Sequence, residues 1–143
     1  MILLGNGPCH RQLCGLVREL GVQDAVDLPG AVENVAEYYA VSDVYVQASH
    51  REAMPMSVLE AMAAGLPILS SDVGGLRDVV TDNGYLYPDA QEQELLRYMH
   101  LFTEMDQVTI QHMSCVSRKN VEQYSSKTMA NQYLKLFKKI LNR

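Results

Sequence analysis

The chain has 143 residues, 48% of them hydrophobic and 20% charged, a composition typical of one globular domain with its own core. Its formal net charge of −5 disfavours a partner held mainly through phosphate contacts, so we expect no nucleic acid. The 3 cysteines form no Cys-x-x-Cys pair, and no secretory or membrane-spanning pattern is present, which predicts a cytoplasmic protein without a disulfide framework or structural zinc.

Short apolar runs alternate with segments of helical periodicity over the first part of the chain. The pattern predicts strands at 2–4, 25–28, 43–49, 67–70 and 84–87. It predicts helices over 13–20, 32–39, 55–64 and 76–80, and then around 95–102, 108–116 and 125–141. Short apolar strands between helices are typical of parallel βαβ units. We therefore predict a single α/β domain over 1–143, a Rossmann-like parallel sheet with helices on both faces over 1–90 and a helical tail over 91–143.

Turn residues follow several of the predicted strands. In an open α/β sheet, ligands bind beyond the carboxyl ends of the strands. The loops expected at that edge are 5–8, 29–32, 49–55 and 71–75. Glycine in three of them permits a close approach of backbone to a ligand, although tight turns also require glycine for their geometry alone.

The segment 49–65 carries the strongest pattern in the chain. Glu52 lies in a loop, and Glu60 lies inside the helix that follows. Pro55 suits the first position of that helix, where its missing N–H costs nothing. The amides of residues 56–58 would then be free to bind an anion, with the helix dipole adding to the attraction. Glu60 could accept hydrogen bonds from a ribose diol, and Glu52 could reach a sugar hydroxyl.

The same residues also fit a purely structural pattern. Ser57 followed by Glu60 matches a capping box, in which the serine caps the helix and the glutamate bonds back to it. Spacing alone leaves the ligand site and the capping box both open.

A wider set of motifs, taken in order, resembles a known family. The set comprises Gly5-Asn-Gly-Pro8, Pro29-Gly30, Asp43-Val-Tyr-Val46, Ser49-x-x-Glu52-Ala-x-Pro55, Glu60-Ala-Met-Ala-x-Gly65-x-Pro67 and Gly74-Gly75. This set resembles the C-terminal domain of the group 1 (family 4) retaining glycosyltransferases, which have the GT-B fold of two Rossmann-like domains. The resemblance extends from about residue 2 to residue 140, and it favours the ligand site over the capping box.

The resemblance implies a nucleotide-sugar donor site, usually for a UDP- or GDP-hexose, and transfer with retained anomeric configuration. Glu52 would contact the donor sugar as the catalytic candidate, and Glu60 would bind the ribose hydroxyls. The remaining donor-binding candidates are Pro55, Met56, Ser57, Gly5, Gly7, Val32, Gly74 and Gly75. Val32 would lie near the base. The family implies no cofactor and no metal.

The sequence departs from the family in one major respect, apart from Asp78 at a position where the family often has glutamate. Family members carry an earlier strand and helix, with Gly-Arg and Lys-Gly motifs that clamp the diphosphate, and an N-terminal acceptor-binding domain. The given sequence starts after these parts, so we expect a chain that is inactive alone and needs that domain as its partner. A non-catalytic nucleotide-sugar-binding module or partner subunit is the alternative. Peripheral membrane contact of the full enzyme, and self-association through an uncovered sheet edge, stay open.

Overall fold

Strands and helices alternate along the chain up to residue 87, as the sequence predicts. The computed structural model describes residues 1–141, and Asn142 and Arg143, the end of the predicted tail, lie outside the described residues. The elements are β1 (Ile2–Leu4), α1 (His10–Glu19), β2 (Asp27–Gly30), α2 (Val35–Ala40), β3 (Tyr45–Gln47), α3 (Met56–Ala64), β4 (Ile68–Ser71), α4 (Leu76–Val79), β5 (Gly84–Tyr87), α5 (Glu92–Glu104), α6 (Gln107–Val121) and α7 (Ser126–Leu141). A 3₁₀ turn, Glu122–Tyr124, joins α6 to α7.

The chain divides into two compact units, the first over residues 1–38 and the second from Tyr39 onward. In the first unit, β1 and β2 are parallel neighbours, and α1 packs against β2. Pro29 lies inside β2 although it has no N–H to give to a ladder. Strand β2 accommodates it because, within the described residues, β2 pairs with β1 alone.

The second unit is built on a parallel sheet in the order β3-β4-β5. The central strand β4 is buried along its whole length, whereas its neighbours are partly exposed. Tyr45 pairs with Ile68, and Gln47 pairs with Ser70. This register brings the carboxyl ends of β3 and β4 to the same level.

Helix α3 supplies most of the core that covers this sheet. Val58, Leu59, Ala61 and Met62 are buried, and α3 packs against β3, β4 and α6. Helix α5 packs against β4 and β5. The core cluster consists of Val58, Leu59, Ala61, Met62, Leu66, Ile68, Leu76, Val79 and Val80. Parallel strands flanked by helices confirm the predicted α/β class.

The ends of α3 follow from its sequence. Pro55, with φ −72° and ψ 122°, is the extended residue before the first turn, and Gly65, with φ 88°, ends the helix in the left-handed region. The Arg118 guanidinium of α6 lies where a Cβ on Gly65 would stand, and its Nη2 donates to the Ala64 carbonyl at 2.9 Å. Glycine at the end of α3 therefore makes room for the arginine that satisfies the helix carbonyl.

Several predicted bounds are wrong by a few residues. The predicted strand at 25–28 lies at Asp27–Gly30, and the predicted strand at 43–49 is confined to Tyr45–Gln47. Helix α2 begins at Val35 rather than at residue 32. The reason is a turn at Asn34, whose side chain donates to Glu37 Oε1 at 2.6 Å and whose carbonyl accepts from the Glu37 amide at 3.3 Å.

The last helix, α7, exposes its apolar face. None of its residues is buried. The exposed apolar side chains, between 49% and 83% accessible, are Met129, Tyr133, Leu134, Leu136, Phe137, Ile140 and Leu141. Among the helices of residues 1–141, none is both long enough and apolar enough to cross a membrane.

Candidate functional site

Two loops meet at the carboxyl ends of β3 and β4, as predicted for a ligand-binding edge. The Ser71 hydroxyl donates to the Ser49 carbonyl at 2.5 Å, and the Gly75 amide donates to the Ala53 carbonyl at 2.9 Å. The amide of Asp72 donates to the Tyr87 carbonyl at 2.8 Å, so the end of β5 is tied to the same edge. These bonds hold the loop that carries Glu52 against the loop that follows β4.

Glu52 is half-buried, and its carboxylate is held by neutral donors. Glu52 Oε1 accepts from Gln47 Nε2 at 3.0 Å and from Ser49 Oγ at 3.0 Å. Glu52 Oε2 makes no hydrogen bond within the described residues 1–141. The carboxylate is thus oriented through one oxygen, and its other oxygen remains available to accept from a hydroxyl.

The glycine pair after β4 explains how the two loops can approach. Gly74 has φ +58°, and a Cβ on it would overlap the backbone carbonyl of Glu52. A Cβ on Gly75 would lie 3.0 Å from both the Ala53 carbonyl oxygen and the Met54 methyl carbon. The pair packs against the Glu52 loop and so fixes the backbone of that carboxylate, and its contact with the donor stays a prediction.

Glu60 lies exposed on α3, and a tyrosine contacts it. Tyr39 Oη is 3.4 Å from Glu60 Oε2 and 3.3 Å from the Ser57 carbonyl oxygen, so its single proton can be donated to either. Burial, followed by the nearby Tyr45 and Glu60, raises the pKa of Tyr39 to about 12. Burial also raises the pKa of Tyr45. The rings of Tyr45 and Tyr39 meet edge to face, with their centroids 6.0 Å apart.

The capping box that the sequence left open is absent. Ser57 is the second residue of α3 rather than its cap, and its hydroxyl donates to Gln47 Oε1 at 3.3 Å. Pro55 takes the cap position, one residue before the first helical position predicted for it. The Val58 amide, predicted to be free, bonds to the Pro55 carbonyl at 3.2 Å. The amides of Met56 and Ser57, which come before it, remain the donors without a partner inside the helix, as is usual at a helix start.

The predicted site residues divide between the two units. Glu52, Pro55, Met56, Ser57, Glu60, Gly74 and Gly75 belong to the second unit and lie at its sheet edge and on α3. Gly5, Gly7 and Val32 belong to the first unit. There the Gly5 amide donates to the Gly30 carbonyl at 2.7 Å, the Gly7 carbonyl accepts from the His10 amide at 3.0 Å, and Val32 lies half-buried after β2.

The sequence interpretation missed Tyr39, Tyr45 and Gln47. For two of them a signal was present, since Tyr45 and Gln47 alternate along β3 and therefore face the same side. Tyr39 gives no such signal, because its hydroxyl reaches Glu60 across a separation of 21 residues in sequence.

Other polar features lie outside this arrangement. His50 Nδ1 is 2.8 Å from Asp89 Oδ1 in an exposed pair. A shallow cavity of about 350 Å³ opens at the amino end of β5, and none of the predicted site residues lines it. Within residues 1–141, no group of three or more histidine, cysteine or acidic residues is arranged to hold a metal ion.

Comparison with known proteins identifies the family. The sequence pattern of the family described as "Glycosyl transferases group 1" matches residues 1–127. The chain is 39% identical over 88 residues to the N-acetyl-alpha-D-glucosaminyl L-malate synthase of Bacillus anthracis, a match that covers 60% of this chain and 23% of that protein. It is 25% identical over 142 residues to the putative colanic acid biosynthesis glycosyltransferase WcaL of Salmonella typhimurium, covering 92% of this chain and 35% of that protein.

Solved structures show the same fold. The sucrose-phosphate synthase of Thermosynechococcus elongatus superposes with a TM-score of 0.84 at 26% identity, over 99% of this chain and 38% of that one. The Anabaena protein HepE, in complex with UDP-glucose, superposes with a TM-score of 0.83 at 22% identity, over 96% of this chain and 40% of that one. This chain therefore spans well under half the length of the proteins it matches.

Proposed function

This chain is a member of the group 1 glycosyltransferases, and on that premise we propose that it provides the donor site for hexosyl transfer from a nucleotide-diphosphate sugar. The observation that carries the proposal is the pair Glu52 and Glu60. The Glu52 carboxylate is held by hydrogen bonds within its loop, and Glu60 lies on α3, the helix that begins between the two residues. Within residues 1–141, each carboxylate keeps at least one oxygen free of hydrogen bonds.

Each group in the site has a role that its chemistry suits. Glu52 Oε2 would accept from a hydroxyl of the donor sugar, which places the carboxylate beside the reacting carbon as the catalytic candidate. Glu60 would accept from the ribose diol. The amides of Met56 and Ser57 would bind the diphosphate, because unpaired N–H groups and the helix dipole at a helix start both favour an anion.

The reaction needs stabilisation of charge at two places. Bond breaking leaves an electron-poor sugar carbon and a diphosphate that gains negative charge. Carboxylates stabilise the first, and oriented amides stabilise the second without having to reorganise. Transfer with retained configuration and without metal or cofactor is the family's chemistry, and we adopt it as part of the proposal.

The donor is proposed to be a UDP- or GDP-hexose. The HepE complex with UDP-glucose supports a uridine donor, since that protein shares the fold over 96% of this chain. Gly5, Gly7 and Val32, in the first unit, are proposed to contact the nucleotide. The acceptor-binding domain and the diphosphate clamp would be supplied by a partner domain of the longer relatives' kind, in a cytoplasmic enzyme.

The direct test is two-dimensional NMR of the ¹⁵N-labelled chain, titrated to millimolar UDP-glucose, UDP-N-acetylglucosamine or GDP-mannose. We expect at least one of them to shift the amide signals of residues 49–54, 56–57 and 74–75. Glu60→Gln should weaken both the sugar nucleotide and the free nucleotide about ten-fold, since a hydrogen bond to a charged group contributes about 1.5–3 kcal/mol. Glu52→Gln should weaken only the sugar nucleotide.

The matched control is Glu104→Gln, which removes the same charge from the end of α5. It should leave both affinities unchanged. Binding that persists unchanged when Glu52 and Glu60 are both replaced by alanine would refute the proposed site.

A further inference from the structure

The side chain of Gln47 makes a full set of hydrogen bonds at the centre of the site. Its Oε1 accepts from Tyr45 Oη at 2.6 Å and from Ser57 Oγ at 3.3 Å. Its Nε2 donates to Ser49 Oγ at 2.7 Å and to Glu52 Oε1 at 3.0 Å. A glutamine amide has two donors and two acceptor lone pairs, so all of its capacity is used.

The chemistry of these partners fixes which way the amide faces. A carboxylate only accepts hydrogen bonds, so the amide nitrogen must face Glu52. The amide oxygen then faces two hydroxyls, both of which can donate. The reversed amide would set two acceptors, Gln47 Oε1 and Glu52 Oε1, against each other at about the distance of a hydrogen bond. A single orientation therefore satisfies every partner.

The same side chain links Glu52 to the start of α3. Ser57 is the second residue of that helix, and its hydroxyl bonds to the oxygen of the amide whose nitrogen holds Glu52. Tyr45, the other donor to Gln47, contacts the ring of Tyr39, which reaches Glu60. Gln47 is the one described residue that bonds directly to the loop carboxylate and to the helix that carries the other carboxylate.

The donors on Glu52 are also electrically neutral. Gln47 Nε2 and Ser49 Oγ orient its Oε1 without adding a positive charge. A lysine or arginine in their place would form an ion pair and neutralise the carboxylate. The amide therefore sets the direction of Glu52 Oε2 while the full negative charge stays available to a ligand.

From this geometry we infer that Gln47 is a positioning residue for sugar recognition. It holds Glu52 in the orientation that accepts a hydrogen bond from the donor sugar, and it fixes that orientation relative to the start of α3. This inference rests on the proposed function, in which Glu52 binds the sugar and Glu60 the nucleoside. Gln47 itself need not touch the ligand. Its effect should therefore appear in the preference for the sugar nucleotide over the free nucleotide.

The test compares dissociation constants by NMR titration, using UDP-glucose and UDP, or GDP-mannose and GDP if the guanosine sugar is the one that binds the wild-type chain. Gln47→Glu has the same shape and keeps an acceptor for Tyr45, but it sets a carboxylate against Glu52. We expect the preference for the sugar nucleotide to fall about ten-fold, the loss of one charge-assisted hydrogen bond, and the free nucleotide to bind within about two-fold of wild type. Ala48→Ser, at the exposed residue next to Gln47, is the control and should change neither.

A double variant separates positioning from a role in folding alone. Gln47→Glu combined with Glu52→Gln restores a donor facing an acceptor, so its thermal unfolding midpoint should return toward that of wild type. Its preference for the sugar nucleotide should stay lost, because position 52 no longer carries the negative charge. Recovery of both properties would show that the pair serves folding only, and would overturn the inference.

Two other results would also overturn it, and they are distinguishable. If the wild-type chain binds a nucleotide sugar and Gln47→Glu keeps its preference, the role of Gln47 is wrong and the proposed function stands. If the wild-type chain binds none of the probes, the proposed function is wrong, and the role of Gln47 built upon it is wrong as well.

Discussion

Helices α3 and α7 both belong to the second unit, yet they differ in how far their apolar residues are buried. In α3, Val58, Ala61 and Met62 are fully buried, and the polar Ser57 and Glu60 stand on the same rigid element. In α7, the apolar residues are about half exposed or more. A helix can therefore be well formed and still contribute little to the core. Only a helix packed into the core, as α3 is, can hold a side chain to the precision that a ligand site needs.

The largest expected effect comes from removing a buried side chain of α3. Met62→Ala should lower the free energy of unfolding by about 2–5 kcal/mol, because a fully buried methionine leaves a cavity in a core that cannot collapse to fill it. Urea unfolding followed by circular dichroism measures the change. Phe137→Ala on α7 is the matched comparison and should change the value by less than about 0.5 kcal/mol. If both variants lost the same free energy of unfolding, the distinction between a core helix and an exposed helix would be wrong.

A smaller effect is expected where the loop after β4 meets the Glu52 loop. Gly74→Ala should cost about 1–3 kcal/mol of unfolding free energy, because its φ of +58° is strained for alanine and the new Cβ would overlap the Glu52 carbonyl. It should also weaken sugar-nucleotide binding, since Glu52 must move. NMR titration and urea unfolding on the same sample measure both quantities.

Gly21→Ala is the control for Gly74→Ala. Gly21 has a similar φ of +66°, but no atom lies within 4 Å of the place where its Cβ would stand. The strain is thus present without the overlap. We expect a loss of stability from Gly21→Ala and no specific loss of binding; a Gly74→Ala chain that binds as well as Gly21→Ala would show that the glycine pair does not support Glu52.

The smallest effect is expected in alkaline solution, at the contact between Tyr39 and Glu60. Burial raises the pKa of Tyr39 from 10.0 to about 12, so the folded chain holds this proton more tightly than the unfolded chain does. The resulting stabilisation is complete below pH 10 and is lost as the pH rises through 12. Tyr39→Phe should therefore flatten the fall in stability between pH 10 and 12, as measured by urea midpoints. Tyr133→Phe, on the exposed face of α7, is the control; an unchanged slope in Tyr39→Phe would contradict the assignment.

Much of the framework around α3 could be predicted from the sequence, because its boundaries are set locally. Gly65 and Pro67 end the helix, and the predicted range 55–64 differs from Met56–Ala64 by one residue. Glu52 and Glu60 could be singled out for the same reason, since they flank a helix start. The ordered motifs that resemble the family extended this to the fold class.

The network that holds the carboxylates could not be predicted in the same way. Tyr39 reaches Glu60 across a separation of 21 residues, and Ser57 reaches Gln47 across 10, through tertiary packing that no local pattern records. Gly74 was singled out only as a glycine near a ligand, and its close packing against the Glu52 carbonyl is a tertiary contact that the sequence does not record. The Val58 amide was counted as free because the turn at Pro55, which engages it, depends on where the helix begins.

The alternation of Tyr45 and Gln47 along β3 has a consequence for folding. A strand of 3 residues has few ladder bonds to define its pairing with β4. If β3 slipped by one residue, Tyr45 and Gln47 would turn to the opposite face, and Val46 would take a place beside Glu52 and Ser57. The hydrogen bonds that would prepare the site for a ligand therefore also penalise mispaired forms of this strand, so that a chain which has folded with the wrong register could be recognised by its lack of binding.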